Sequence, residues 1–209
     1  VVEVDEELME KYLEQGEVSP EQLHGPFEAA LRSGHLVPVM FMSAREGVGV
    51  SDFMDFTAEL CPNPNEGNPR TFIIHEGDEQ TEWHATGDAD HPVAHVFKVS
   101  SDPYVGKLSV FRVHQGVISS DFHPRTNASR KGLRLNHVFK LQGKEHVETK
   151  TVVAGDLGAV SKIDDLSYGD VMHDASISEQ MRIKPLPMPK PMFGLAIDAA
   201  NRNAEVKLG

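Results

Sequence analysis

The chain has 209 residues, one cysteine (Cys61) and a formal net charge of −12. That length suits one or two domains with a real core. A single cysteine excludes a disulfide framework and fits a reducing cytosol, and no apolar run approaches the roughly 20 residues of a membrane-spanning helix. The charge is unevenly placed. Residues 1–64 hold 13 acidic side chains against 3 basic ones, residues 65–91 hold 7 against 1, and residues 92–184 hold 10 against 13. Partner choice is local, so the mildly basic later segment matters more than the acidic total.

Residues 4–15 read as a helix, with Val4, Leu8 and Tyr12 at four-residue spacing and Gly16 suited to the position after its end. Ser19-Pro20-Glu21-Gln22 predicts a second helix with Ser19 as N-cap, Pro20 at its first position and Gln22 closing a capping box. Leu23, Phe27, Ala30 and Leu31 supply its apolar face, and Gly34 ends it. Gly25-Pro26 inside is expected to kink or split it, because proline lacks the donor and crowds the previous turn. Residues 36–41 form an apolar run of strand length, consistent with a buried parallel strand. Ser43-Ala44-Arg45-Glu46-Gly47 follows as a loop. Ser51 is expected to cap a third helix, with Phe53, Phe56 and Leu60 facing inward and Pro62 stopping it. Helix, helix, strand, loop, helix is an α/β pattern with too few strands for a complete doubly wound sheet.

Residues 63–91 are rich in Asn, Pro, Gly and acids and read as a linker or loop excursion. Within them, 71–74 and 82–85 can pair as a short hairpin around Gly77-Asp78. From Pro92 to about Lys184 the texture is all-β, with strand-like runs at 93–99, 107–114, 133–141, 147–153, 157–162 and 180–184. Turn signals such as Asp102-Pro103, Gly143-Lys144 and Gly155-Asp156 separate them. Short strands so divided suggest a small closed barrel. Pro185, Pro187, Pro189 and Pro191 predict an extended linker. Residues 193–197 then suggest a new strand and 201–208 a helix.

Phosphoryl-transfer machinery is missing from these residues. Gly106-Lys107 tempts the eye as part of a P-loop, but position 101 is Ser and Leu108 offers no hydroxyl to Mg²⁺. No Asn-Lys-x-Asp is present to read guanine. Eleven histidines invite a metal reading. His91 and His95 flank Pro92, however, and Cys61, His75 and His84 are scattered, so no metal site is expected. Asp164, Asp165 and Asp170 fall in a turn, where Asp serves backbone hydrogen bonds. Arg125, Arg130, Lys131, Arg134, Lys140, Lys144 and Lys150 crowd one stretch, opposed by Glu145 and Glu148. On charge alone they are either a phosphate-binding surface for structured RNA or an ordinary solvated face.

Three motifs in order carry a family resemblance. The run Asp-Pro-Tyr-Val-Gly-Lys-Leu-Ser-Val-Phe-Arg-Val-His-Gln-Gly over residues 102–116 resembles the first hairpin of the β-barrel domain of elongation factor G. Ala154-Gly155-Asp156-Leu157-Gly158-Ala159-Val160 is similar to the family's Ala-Gly-Asp-Ile-x-Ala-Val. Gly169-Asp170-Val171-Met172-His173-Asp174 resembles its Gly-Asp-Thr-Leu-x-Asp turn. Upstream, Glu7-Leu8-Met9-Glu10-Lys11-Tyr12-Leu13-Glu14 matches a stretch late in the family's nucleotide domain. Val37-Pro38-Val39 followed by Ser43-Ala44 is similar to the strand and fifth G-box that end it, and residues 191–196 resemble the first strand of its third domain.

The resemblance implies a mixed fold in an internal fragment, to which the start at Val1 without Met also points. Residues 1–62 would be the α/β C-terminal part of a GTPase domain and 63–91 an acidic linker or loop excursion. Residues 92–184 would be an all-β translation-factor Greek-key barrel, and 185–209 a linker and the start of a truncated α+β domain. The intact protein would be a cytoplasmic translational GTPase, using GTP and Mg²⁺ to drive tRNA–mRNA translocation on the ribosome. The fragment would bring a barrel that docks on small-subunit RNA and proteins, with no catalytic residue, cofactor, membrane or DNA of its own. Backbone at Ser43 and Ala44 would hold the guanine carbonyl, and Arg125, Arg130, Lys131, Arg134 and Lys144 would meet RNA. Val171 in place of Thr, Arg45 after the G-box and Gly25-Pro26 suggest a divergent paralogue. Ribosome disassembly, antibiotic-target protection and a non-GTPase adaptor stay open as alternatives.

Overall fold

The computed structural model describes residues 6–76, 79–87, 90–102, 106–127, 129, 131–176, 181–184 and 189–199. Helix α1 spans Glu6–Gln15 and buries Leu8. The Gly16 N–H donates to the Tyr12 carbonyl at 2.8 Å and closes its end. Helix α2 spans Pro20–Ser33 and starts as the sequence predicts. Ser19 Oγ accepts from the Gln22 N–H at 3.4 Å, and Gln22 Oε1 accepts from the Ser19 N–H at 3.1 Å. Gly34 ends the helix at φ 75°, a left-handed conformation that costs a β-carbon-free residue little. The expected break at Pro26 does not occur, and the helix is unbroken through it. The bond that proline forfeits would have ended on the carbonyl of Gln22, which is exposed, so water can serve that oxygen.

Helix α3 spans Val50–Leu60, and its N-cap is Gly49 rather than Ser51. The chain turns through Gly47 and Gly49, both at positive φ, so helical geometry begins one residue before Ser51. Phe56 meets Phe27 of α2 edge-on at 6.3 Å, whereas Phe53 is exposed.

The expected strand at 36–41 is not one. Residues 36–42 lie outside any ladder, with Val37 and Val39 each 75% exposed and Phe41 93% exposed. An apolar run becomes a buried strand only beside other strands, and none pairs with it among the described residues.

Eleven strands follow among those residues: β1 Phe72–Glu76, β2 Glu79–Trp83, β3 Val93–Asp102, β4 Gly106–Gln115, β5 Val117–Ser119, β6 Val138–Gln142, β7 Glu145–Thr149, β8 Thr151–Val153, β9 Leu157–Ser161, β10 Val171–His173 and β11 Met181–Ile183. β1 and β2 pair antiparallel, Phe72 opposite Trp83, so the hairpin forms with its second strand starting earlier than expected. Its Gly77-Asp78 turn lies outside the described residues, as do Pro103, Pro185, Pro187 and the helix expected at 201–208. β11 adds to the free edge of β1. The main sheet is antiparallel, in the order β10-β3-β4-β9-β6-β7, and β5 pairs with β8.

These elements enclose a main core and two smaller ones, around Phe72 and Met181 and around Leu108 and Val110. Ala94 and Val96 of β3, Phe111 and Val113 of β4, Ile118, Leu135, Val138, Val152, Val160, Leu166 and Met172 are buried together. Each large side chain there contributes about 1.5–3 kcal/mol by leaving water. This is the all-β unit expected of residues 92–184. Two expected strands are shorter than predicted. Residues 133–137 are extended but unpaired, because the Leu133 N–H donates to the Pro124 carbonyl at 2.7 Å. The run 147–153 divides at Lys150 between β7 and β8. Residues 193–197 are in no ladder either, and Phe193, Leu195 and Ile197 are exposed. Among the described residues, no helix is long and apolar enough to cross a membrane.

Candidate functional site

Ser43 and Ala44 sit where the extended run 36–42 turns into α3. The Ser43 N–H donates to the Val48 carbonyl at 2.9 Å, and Ser43 Oγ accepts from the Glu46 N–H at 3.3 Å. Those two bonds fix a four-residue turn. They also occupy the Ser43 amide, so Ala44, which is exposed, carries the amide still open to a ligand.

The predicted basic residues divide into three groups. Arg125 is half-buried, and its backbone is tied to β10 by two bonds with His173, at 2.8 and 3.1 Å. It belongs to a loop closed by Leu133 on Pro124 and internally by Thr126 Oγ1, which accepts from the Ser129 N–H at 3.1 Å. Lys131 and Arg134 are exposed on that loop and just after it. Leu133 and Leu135 point into the core, and this two-residue alternation turns Arg134 outward. Asn127 Nδ2 donates to the Met181 carbonyl at 2.7 Å and pins the loop to β11. Lys144 is exposed at the β6–β7 turn, the length of that hairpin away. Lys140 pairs instead with Asp156. Arg130 lies outside the described residues.

Other polar clusters have structural explanations. His91 Nδ1 meets both Asp174 Oδ2, at 2.7 Å, and Ser176 Oγ, at 2.8 Å. A catalytic triad needs its acid and its hydroxyl on opposite ring nitrogens. Here one nitrogen serves both, so the cluster is a clasp and not a relay. Burial raises the Asp174 carboxyl, but bonds from Ser176 and His91 outweigh it and hold it below the ordinary range. Asp170 Oδ2 accepts from the Ser167 N–H at 2.7 Å, as expected of Asp in a turn, while burial raises its carboxyl. Among the described residues, no three His, Cys, Asp or Glu side chains are grouped to hold a metal ion.

A cavity of about 360 Å³ lies between the outer face of β3–β4 and the segments around residues 64–70 and 85–87. His95 and Phe97 of β3, Arg112 and His114 of β4, and Arg70 line it. Two β-bulges shape it. Ala94 opposes Val113 while Val93 opposes Gln115, so His114 is the extra residue on β4; likewise Phe97 is the extra residue on β3. Bulges re-aim side chains, and here both extra residues reach one cavity. The rings of His95 and His114 are 5.7 Å apart. Burial, and then repulsion from Arg70 and Arg112, lowers His95 to about 4. Burial, and then His95, Arg112 and Arg70, lowers His114 to about 4. His95, Arg112 and His114 stand at alternate positions to the buried Ala94, Val96, Phe111 and Val113, but nothing in the sequence announced a roof over them.

A family model for elongation factor G domain 2 matches residues 92–175. Over 99% of its length the chain is similar to a crystal structure of a protein from Thermus thermophilus, at 29% sequence identity and a TM-score of 0.73. The chain covers 28% of that protein, so it spans less than a third of it.

Proposed function

We propose, from the match of residues 92–175 to the family model for elongation factor G domain 2, that the chain is the middle of a translational GTPase that acts on the ribosome. The observation that carries the reading is the barrel itself, with likeness to one solved protein continuing through both flanks over 99% of the chain. Residues 6–62 fit the end of a nucleotide domain. The exposed apolar run 36–42 has the composition of a central strand, and the Ser43–Ala44 turn at its end leaves the Ala44 amide to meet a guanine carbonyl. GTP and Mg²⁺ would be held by upstream residues. No step of hydrolysis falls to this chain, and its part is to transmit force between the nucleotide domain and the domains beyond.

The barrel's part is docking. Exposed Lys131, Arg134 and Lys144 on a barrel surface suit the phosphates of small-subunit RNA, which bind by charge and shape rather than by sequence. The reaction served is GTP-dependent tRNA–mRNA translocation in the cytoplasm. The test is GTP hydrolysis by the protein whose gene encodes this chain. Ribosome-stimulated turnover is expected, together with a P-loop and an Asn-Lys-x-Asp upstream of Val1. Degraded G-boxes and no stimulated hydrolysis would favour a non-GTPase adaptor instead.

A further inference from the structure

The cavity over β3–β4 is chemically distinct from every surface used above. Among the described residues, no acidic side chain lines it, although the chain as a whole carries a charge of −12. Among the described residues, neither the Arg70 nor the Arg112 guanidinium makes a hydrogen bond or an ion pair. Half-buried guanidinium groups are ordinarily matched by a carboxylate or phosphate, because their planar fork is costly to desolvate unpaired. His95 is only 7% exposed, and its Nδ1 has no hydrogen-bond partner; the same is true of His114 Nε2. Buried polar atoms are rarely left so without a purpose.

The four groups come from distant parts of the chain and converge by design of the fold. β3 and β4 supply the floor, two bulges aim His114 and Phe97, and the segment ending at Arg70 supplies the roof. We propose that this cavity is a binding site for a nucleoside monophosphate, with Arg70 and Arg112 on the phosphate. Two cations, with no acid among the described lining residues, match a phosphate dianion. The volume, about 360 Å³, leaves room beyond the phosphate for an organic group. Phe97 and Leu157 and the two imidazole rings offer flat and apolar walls for a base. Both imidazoles are neutral at pH 7, so the attraction rests on the arginines, and the rings contribute hydrogen bonds and stacking. The site is independent of the ribosomal reading and would stand if that reading failed.

The experiment is a titration of the full chain with AMP and with adenosine, followed by the His95 and His114 ring signals in NMR spectra and by calorimetry. AMP should move both signals and bind at least about tenfold more tightly than adenosine, the worth of one or two charge-assisted bonds. Arg112→Gln should weaken AMP by roughly tenfold or more while leaving adenosine unchanged. Arg70→Gln, on the roof and outside the barrel core, gives the same test if Arg112→Gln misfolds. Unmoved ring signals at millimolar AMP, equal affinity for AMP and adenosine, or full AMP affinity in the Arg70→Gln chain would each overturn the proposal.

Discussion

Replacing Gly158 by alanine tests how tightly the barrel is filled. Gly158 lies on β9 opposite Phe111 of β4. A β-carbon built there would stand 2.7 Å from Phe111 Cζ and 2.9 Å from Val152 Cγ2. Carbon atoms in contact prefer about 3.5–4.0 Å, so the added methyl falls short by about 1 Å on two sides. Neither neighbour can swing into solvent, since Phe111 is 0% and Val152 1% exposed. Backbone strain plays no part, because Gly158 is not among the glycines at positive φ. Overpacking of this kind costs about 1–3 kcal/mol. Removing a glycine's freedom from a strand returns roughly 0.5–1 kcal/mol. The net expectation is a loss of about 1–2 kcal/mol. With a urea m-value of about 2 kcal/mol/M, the midpoint should fall by roughly 0.5–1 M with m unchanged. Phe111→Leu shortens the ring that collides, so in the double variant the Gly158→Ala cost should shrink by at least about 1 kcal/mol. A Gly158→Ala chain as stable as the original, or strictly additive effects with Phe111→Leu, would refute the close-contact argument.

Acid should unfold the chain early. His95 and His114 titrate near 4 when folded against 6.5 ordinarily, so the folded state binds fewer protons. Stability is full above about pH 6.5, falls between 6.5 and 4, and levels below that. The loss is on the order of 3 kcal/mol per buried histidine at most. Urea midpoints at pH 7, 6 and 5 check it, and His114→Phe should flatten the slope. Pro26→Ala restores a donor to the Gln22 carbonyl and should stabilise α2 by about 2 kcal/mol, seen as slower hydrogen exchange across that helix. The isolated chain, which has neither a P-loop nor an Asn-Lys-x-Asp, should show no calorimetric binding of GTP with Mg²⁺ at micromolar concentration.

What was legible in the sequence was what neighbours in the sequence decide. Ser19, Pro20 and Gln22 form a complete cap within four residues, so α2 could be placed to the residue. β3, β4 and β9 announce themselves as strand-like runs between turn signals, and the motifs at 102–116 and 154–160 carry the family resemblance through β4 and β9. Local reasoning failed where a distant partner or its lack decides. Residues 36–42 read as a buried strand from their apolarity, yet burial needs neighbours that composition cannot supply. Ser51 is a better cap residue than Gly49, but the left-handed turn at Gly47–Gly49 starts the helix first. Pro26 breaks helices in general, and here the carbonyl it deprives faces water. Arg125 looked like one more exposed cation and is instead tied beside β10. The cavity was invisible because two bulges and a segment around residue 70 make it, and neither register nor chain return is written in any local pattern.

Under the proposed function, this barrel docks on the small ribosomal subunit through basic side chains. Sedimentation of the chain with purified small subunits across a salt series tests it most directly. Binding is expected at low salt, falling linearly on a log–log plot, and should be at least about fivefold weaker for Lys131→Glu with Arg134→Glu. Absence of binding at the lowest salt, or binding indifferent to both salt and the double charge reversal, would contradict it.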